Sequence, residues 1–198
     1  SGGTDTAVRG SETMTLINLE NIIGSSAADS IRGDAANNVF SGGSGNDTLY
    51  GGAGADNLDG GADIDTATYA GDASAITLTL QSDFSGTVSQ NSIVDTLAGL
   101  EVIIGTSLND GFNGFVANST LDGGDGNDTY NYSGSASAIT VTLGASGNAH
   151  DSSLNTQILL NMEYVVGGDR AFGNTCNRNS RKYRCGEGHE ITEKDRVI

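Results

Sequence analysis

Large apolar residues recur along this chain every nine positions, each set between polar neighbours. Ile31, Phe40, Leu49, Leu58 and the smaller Ala67 form one series, and Phe112, Leu121 and Tyr130 form a second. An apolar residue flanked by polar ones reads as a minimal strand, its centre turned inward and its neighbours outward. The spacing therefore predicts very short strands joined by longer turns. One such unit cannot bury its apolar residue alone, so the units must stack. Elsewhere the period shortens to two. Ile76, Leu78 and Leu80 alternate with Thr77 and Thr79, and Ile139, Val141 and Leu143 alternate with Thr140 and Thr142. That is the pattern of a half-buried strand. These segments are expected to be wider turns of β-structure that carry the array forward. The polar, turn-rich stretches 81–92 and 144–155 are expected to be exposed loops.

The turns repeat too. Consecutive nonapeptides begin at residues 24, 33, 42, 51 and 60, and again at 105, 114 and 123. Three of them read GGSGNDTLY, GGAGADNLD and GGDGNDTYN. The glycines permit tight turning with carbonyls aimed inward. Position six is Asp29, Asn38, Asp47, Asp56 and Asp65 in the first block, and Asp110, Ser119 and Asp128 in the second. Carboxylates plus carbonyls are hard oxygen donors of the kind Ca²⁺ takes, six to eight at a time in loose geometry.

These residues resemble the RTX (repeat-in-toxin) family of hemolysin-type calcium-binding repeats. The resemblance implies an all-β fold, a calcium-binding parallel β-roll (a right-handed β-solenoid), with non-repeat β segments between the blocks. It implies two nonapeptides per turn, with successive loops on alternate sides and calcium between loops two repeats apart. Asp29, Asp47 and Asp65 would then share one side, and Asn38 and Asp56 the other. The best site would use Gly43, Gly45 and Asp47 with Gly60, Ala62 and Asp65. The opposite side would use Asp34, Ala36 and Asn38 with Gly51, Ala53 and Asp56, and Gly52 and Gly54 repeat the places of Gly43 and Gly45. That side is expected to be weaker because Asn38 brings no charge. In the second block, Asp110 and Asp128 would form a site with Gly123 and Asp125. Ser119 deprives the other side of a carboxylate. Asp63 replaces the third glycine of its repeat, adding a carboxylate but restricting the turn. Ala67 is expected to end the first run.

Composition narrows the picture. With 30 glycines, no proline or tryptophan and only 6% aromatic residues, a conventional globular core is not expected, whereas a thin stack needs one apolar residue per strand. The net charge is −16, and seven of the nine bases lie in residues 169–198. The rest is strongly acidic, so it repels itself when compact. Neither nucleic acid nor an anionic membrane is an expected partner, since both need clustered cations. No membrane span or N-terminal signal is visible. The opening SGGTDT, without an initiator methionine, reads as part of something larger. The resemblance implies export by type I secretion machinery, and hence a secreted, extracellular or cell-surface location in a bacterium. Surface glycan or matrix contacts would come through the parent protein.

A longer periodicity overlies the short one. LENIIG (19–24) recurs as LEVIIG (100–105) and loosely as MEYVVG (162–167), while YAGDASAITLTL (69–80) recurs as YSGSASAITVTL (132–143). This divides the chain into a first module, 1–99, a second, 100–168, and an atypical basic tail, 169–198. The tail is expected to be disordered or the product of a reading-frame error. Cys176, Cys185 and His189 lack a fourth zinc ligand, and incidental cysteines are the preferred reading. His150 beside Asp151 is a surface pair, not a catalytic dyad. There is no HExxH or GxSxG, and no Gly-Lys-Ser/Thr follows the glycine loops, so no catalytic residues are assigned. The fragment itself reads as a calcium-binding, structural or adhesin-type surface module. The alternative is the C-terminal folding and secretion module of a secreted protease, lipase or alginate epimerase.

Overall fold

The computed structural model describes residues 4–9, 12–17, 19–81, 83–132, 139–142, 147–151, 156–166, 184–185 and 189–190. Every regular element among them is a strand. The short strands form where the nine-residue spacing puts them: Asp29–Arg32, Val39–Ser44, Thr48–Tyr50, Asn57–Ala62, Thr66–Thr68, Gly111–Asn113, Thr120–Asp122 and Thr129–Asn131. Within each block, successive strands go to opposite sheets. Strands two repeats apart pair in parallel, so Ile31 lies beside Leu49 and Leu49 beside Ala67, Phe40 lies beside Leu58, and Phe112 beside Tyr130. Two mainly parallel sheets result, of ten and nine strands among the described residues.

Position eight is at most 1% exposed in all eight repeats. These side chains form one core with the equivalents contributed by the non-repeat segments. In the ten-stranded sheet the column runs Ile31, Leu49, Ala67, Ile103, Leu121, Leu159. In the nine-stranded sheet it runs Ile22, Phe40, Leu58, Leu97 and then, beyond an insertion, Leu78, Phe112, Tyr130, Val165. Full burial of such a side chain is worth about 1.5–3 kcal/mol. Ala67 closes the first run of nonapeptides but not the stack, because Ile103 takes the next place in its column.

Two segments differ from the sequence reading. Residues 81–92 are not one loop, since Gly86–Gln90 is a strand, antiparallel both to Thr77–Leu80 and to Ile93–Ala98. Asn91 and Ser92, with φ of 48° and 69°, supply the two left-handed residues of a tight hairpin turn. Val88 is fully buried and holds the strand to the core. In 144–155, Gly147–Asp151 likewise forms a strand between Ile139–Thr142 and Thr156–Leu160, with Ala149 buried. His150 therefore lies in a strand, not a loop. Gly86–Gln90 and Gly147–Asp151 thus bring antiparallel pairs into a mainly parallel stack, while Thr77–Leu80 also pairs in parallel with Gly111–Asn113.

A hairpin of Thr4–Arg9 and Glu12–Ile17 pairs with Asp29–Arg32 and covers that edge of the ten-stranded sheet. In the tail, Arg184–Cys185 pairs with His189–Glu190, and Cys176 lies outside the described residues. Among the described residues no helix is long and apolar enough to cross a membrane.

Candidate metal centre

The six-residue turns stack along two edges of the molecule. Turns 24–29, 42–47 and 60–65 lie along one, and 33–38, 51–56, 105–110 and 123–128 along the other. Two places in each turn explain the glycines. Gly43 and Gly45 have φ of 109° and 96°, a backbone that residues with a Cβ rarely adopt. Gly42 permits close approach, because a Cβ there would strike both Asp47 Oδ2 and, at 2.5 Å, the carbonyl oxygen of Gly60. Asp47 Oδ2 and Gly60 O therefore face one space between neighbouring turns. Asp63 holds a φ of 81° where Gly45, Gly54 and Gly126 stand in the other open turns, and its Oδ2 accepts from Gly45 N–H at 3.0 Å.

The position-six side chains form a ladder. Asp47 Oδ1 accepts the N–H of Asp29 at 2.7 Å, and Asp65 Oδ1 accepts that of Asp47 at 2.7 Å. On the other edge, Asp56 Oδ1 accepts from Asn38 N–H at 2.8 Å and Asp128 Oδ1 from Asp110 N–H at 2.7 Å. One oxygen of each carboxylate is thereby satisfied. The other, Oδ2 of Asp47, Asp56, Asp65 and Asp128, is buried without a partner. A buried carboxylate oxygen with nothing to accept is costly, so it calls for a proton, a bound water or a cation. Burial accordingly raises the pKa of all four, to about 7 for Asp56 and Asp128.

Residue two of the turn decides which carboxylates stay open. It is glycine in all four open turns: Gly43, Gly52, Gly61 and Gly124. In three turns where residue two carries a side chain, its N–H closes onto position six. Ser25 N–H donates to Asp29 Oδ2 at 2.5 Å, Thr106 N–H to Asp110 Oδ2 at 2.6 Å, and Asp34 N–H to Asn38 Oδ1 at 3.3 Å. Asp110 also accepts from the Thr106 hydroxyl and from Ile76 N–H, so it is fully occupied.

Asp47 and Asp65 lie on adjacent rungs, with Gly60 O beside Asp47 Oδ2 and with Gly43 and Ser44 paired to Gly61 and Ala62; Gly45 stacks on Ala27. On the opposite edge the Asp34 carbonyl accepts from Ala53 N–H at 2.8 Å, and a Cβ on Gly54 would strike the Ala36 carbonyl oxygen. Gly51 O faces Asn38 Oδ1 beside Gly33, and Asn38 Nδ2 is buried without a partner, presenting a donor where a cation needs an acceptor. Gly123 packs against Asp128 Oδ2, while Asp125 is exposed. Ser119 and Gln157 form an uncharged rung, Gln157 Nε2 donating to Ser119 Oγ at 2.8 Å.

Some groups in the ladder escaped the sequence reading. Asp65 N–H donates to Glu101 Oε2 at 3.0 Å, and Asp128 N–H to Glu163 Oε2 at 2.8 Å. Asp56 N–H donates to Asp95 Oδ1 at 2.9 Å, and the other oxygen of Asp95 accepts from the buried Tyr69 hydroxyl at 3.0 Å. A second, outer ladder uses position-five amides: Asn37, Asn46 and Asn109 accept through Oδ1 from Ala55, Ile64 and Asn127 N–H. The signal for Glu101 and Glu163 was present. In each LEVIIG-like segment the glutamate stands two residues before the buried apolar position, as aspartate does in the repeat.

The donor set is oxygen alone: anionic oxygens lacking partners and carbonyls brought alongside them. That fits Ca²⁺. Among the described residues no three acidic, histidine or cysteine side chains converge; the oxygens beside Asp47, Asp65 and Asp128 Oδ2 are the backbone carbonyls of Gly60, Gly99 and Asn161. The family model of the RTX calcium-binding nonapeptide repeat matches in four copies, over residues 20–49, 32–67 and 104–135. The chain carries RTX calcium-binding repeats, and the repeats of that family bind calcium ions. All four open carboxylates lie within the matched residues. No curated protein matches the chain.

Proposed function

We propose that this RTX repeat chain is a calcium-dependent folding region of a secreted bacterial protein. The observation that carries the reading is the set of unpaired, buried Oδ2 atoms on Asp47, Asp56, Asp65 and Asp128. Asp47 and Asp65, with the carbonyls of Gly43, Gly45, Gly60 and Ala62, would hold one ion. Asp56 and Asp128 would serve the other edge, Asp56 with Gly51 and Ala53, and Asp128 with Gly123, while Asp110 is closed by Thr106 and Ile76. Bound calcium supplies positive charge where the fold has gathered anionic oxygens. The chain's own residues do the rest: glycine at position two turns its N–H away from the carboxylate, and position eight anchors each turn to the core.

The coupling to folding follows from charge. Most of the chain is too acidic to condense unaided, and at a site that does not exist in the unfolded chain, binding energy appears as folding energy. A chain expanded without calcium suits passage through type I secretion machinery. Calcium outside the cell, acting on sites of about 10⁻⁴ to 10⁻³ M affinity, then closes the turns. Circular dichroism in chelator and then in excess calcium tests this. The expected result is a gain of strand signal, and an identical spectrum in both would refute it.

The modules 1–99 and 100–168 are proposed to be units of a surface array, with catalysis, where the parent has any, lying elsewhere. Repetition of the same turn-and-strand plan in both modules supports this. Further modules of this kind in the sequence preceding Ser1 would agree with it. A protease, lipase or epimerase domain there would replace it with the enzyme-module reading.

A further inference from the structure

We propose that Glu101 and Glu163 complete two additional calcium sites, each closing the end of a repeat block with a three-residue turn in place of a nonapeptide. The proposal rests on the calcium reading and extends it to residues outside the matched repeats.

The two turns are Gly99-Leu100-Glu101 and Asn161-Met162-Glu163, built to one plan. The first residue is left-handed, Gly99 at φ 55° and Asn161 at φ 52°. Glycine and asparagine are the residues that adopt that conformation most readily. The second residue is a buried plug, Leu100 at 1% and Met162 at 8% exposure. The third is the glutamate, which takes the next rung of the ladder by accepting the N–H of Asp65 or Asp128.

What these turns face makes them sites. A Cβ on Gly60 would strike Gly99 O and lie 2.8 Å from Asp65 Oδ2; one on Gly123 would strike Asn161 O and lie 2.5 Å from Asp128 Oδ2. Gly42 meets Gly60 O and Asp47 Oδ2 in the same way. The carbonyls of Gly99 and Asn161 thus stand where a repeat's first carbonyl stands. They share a space with carboxylate oxygens that are unpaired, on residues 0% exposed. Glu101 and Glu163 add the second negative charge that Asp65 gives to Asp47. The longer side chain offsets the shorter turn.

A purely structural role, as acceptors for two backbone N–H groups, is the competing account. Glutamine keeps the acceptor and removes the charge, so Glu101→Gln and Glu163→Gln separate the two. Calorimetric titration of the whole chain with CaCl₂ is expected to show about one ion fewer for each variant. Glu20→Gln is the control, because exposed Glu20 begins its sheet and has no preceding rung to serve. Its stoichiometry should match the parent chain. If a glutamine variant does not fold in saturating calcium, rescue of folding and stoichiometry by Glu→Asp at that position supports the proposal, and failure of that rescue counts against it. Unchanged stoichiometry in both glutamine variants overturns the inference alone. No calcium uptake by the parent chain overturns the calcium reading itself.

Discussion

The N–H of Asp47 donates to Oδ1 of Asp65, eighteen residues further along the chain, at 2.7 Å. One carboxylate oxygen thus ties two turns together while the other remains open. The two duties can be separated. Asp65→Asn keeps an acceptor for the ladder and removes the charge, whereas Asp65→Ala removes both. The asparagine variant is expected to lose calcium affinity by about tenfold or more, roughly 1.4 kcal/mol, yet to melt no lower than the parent in chelator. The alanine variant should lose affinity and also melt lower in chelator, by about 1–3 kcal/mol for the orphaned N–H. Equal metal-free melting of the two variants would show that the ladder bond carries no weight.

Thr106 offers the converse test. Its N–H and hydroxyl occupy Asp110, as glycine at that place does not. Thr106→Gly should destabilise the metal-free chain by about 1–2 kcal/mol, because it deletes the hydroxyl contacts and frees the turn. It should also open Asp110, so that the rise in melting temperature on adding calcium becomes larger than in the parent. An unchanged or smaller rise would show that position two does not gate the carboxylate.

Acid should substitute partly for calcium. Burial raises Asp56 and Asp128 to about 7 in the metal-free fold, against about 3.9 in an unfolded chain. The folded state therefore holds these protons more tightly. Their contribution is fully present below the unfolded value and is lost as pH rises through about 7. In chelator, strand signal is expected to grow as pH falls from about 8 to about 5, and apparent calcium affinity to weaken across the same window as protons compete. A metal-free spectrum that does not respond over that range would contradict the burial of these groups.

The repeat was legible because its constraints are local. The interval between Leu49 and Leu58 fixes strand and turn lengths together, and the aspartate two residues before each of them places the carboxylate. Glu101 was harder to see because Gly99-Leu100-Glu101 lacks the glycine pair that announces a turn. Its role depends on Asp65, 36 residues earlier. Nor did Thr106 declare itself, since its effect is a reorientation of one N–H that only the stacked turn reveals. The strand at 86–90 was hidden for a different reason. Thr87, Ser89 and Gln90 are polar, and Val88 alone faces the core. Alternation with a single apolar residue is indistinguishable from a polar loop.

That hairpin also carries an improvable turn. Asn91 tolerates a positive φ, but Ser92 holds a φ of 69° with a Cβ in place. A left-handed residue of this kind costs about 1–2 kcal/mol relative to glycine, and two-residue hairpin turns with both residues left-handed favour Asn-Gly. The Ser92 backbone is fixed by the pairing of Gln90 with Ile93 on either side, so the strain has no local escape. Ser92→Gly gives up some unfolded-state restriction, which offsets part of the gain. The net expectation is a stabilisation of about 0.5–1 kcal/mol, read as a higher melting temperature both in chelator and in calcium, with calcium stoichiometry unchanged. Because most substitutions destabilise, a gain here is a stringent check on the hairpin. A lower melting temperature would mean that Gly86–Gln90 and Ile93–Ala98 are not joined by this turn.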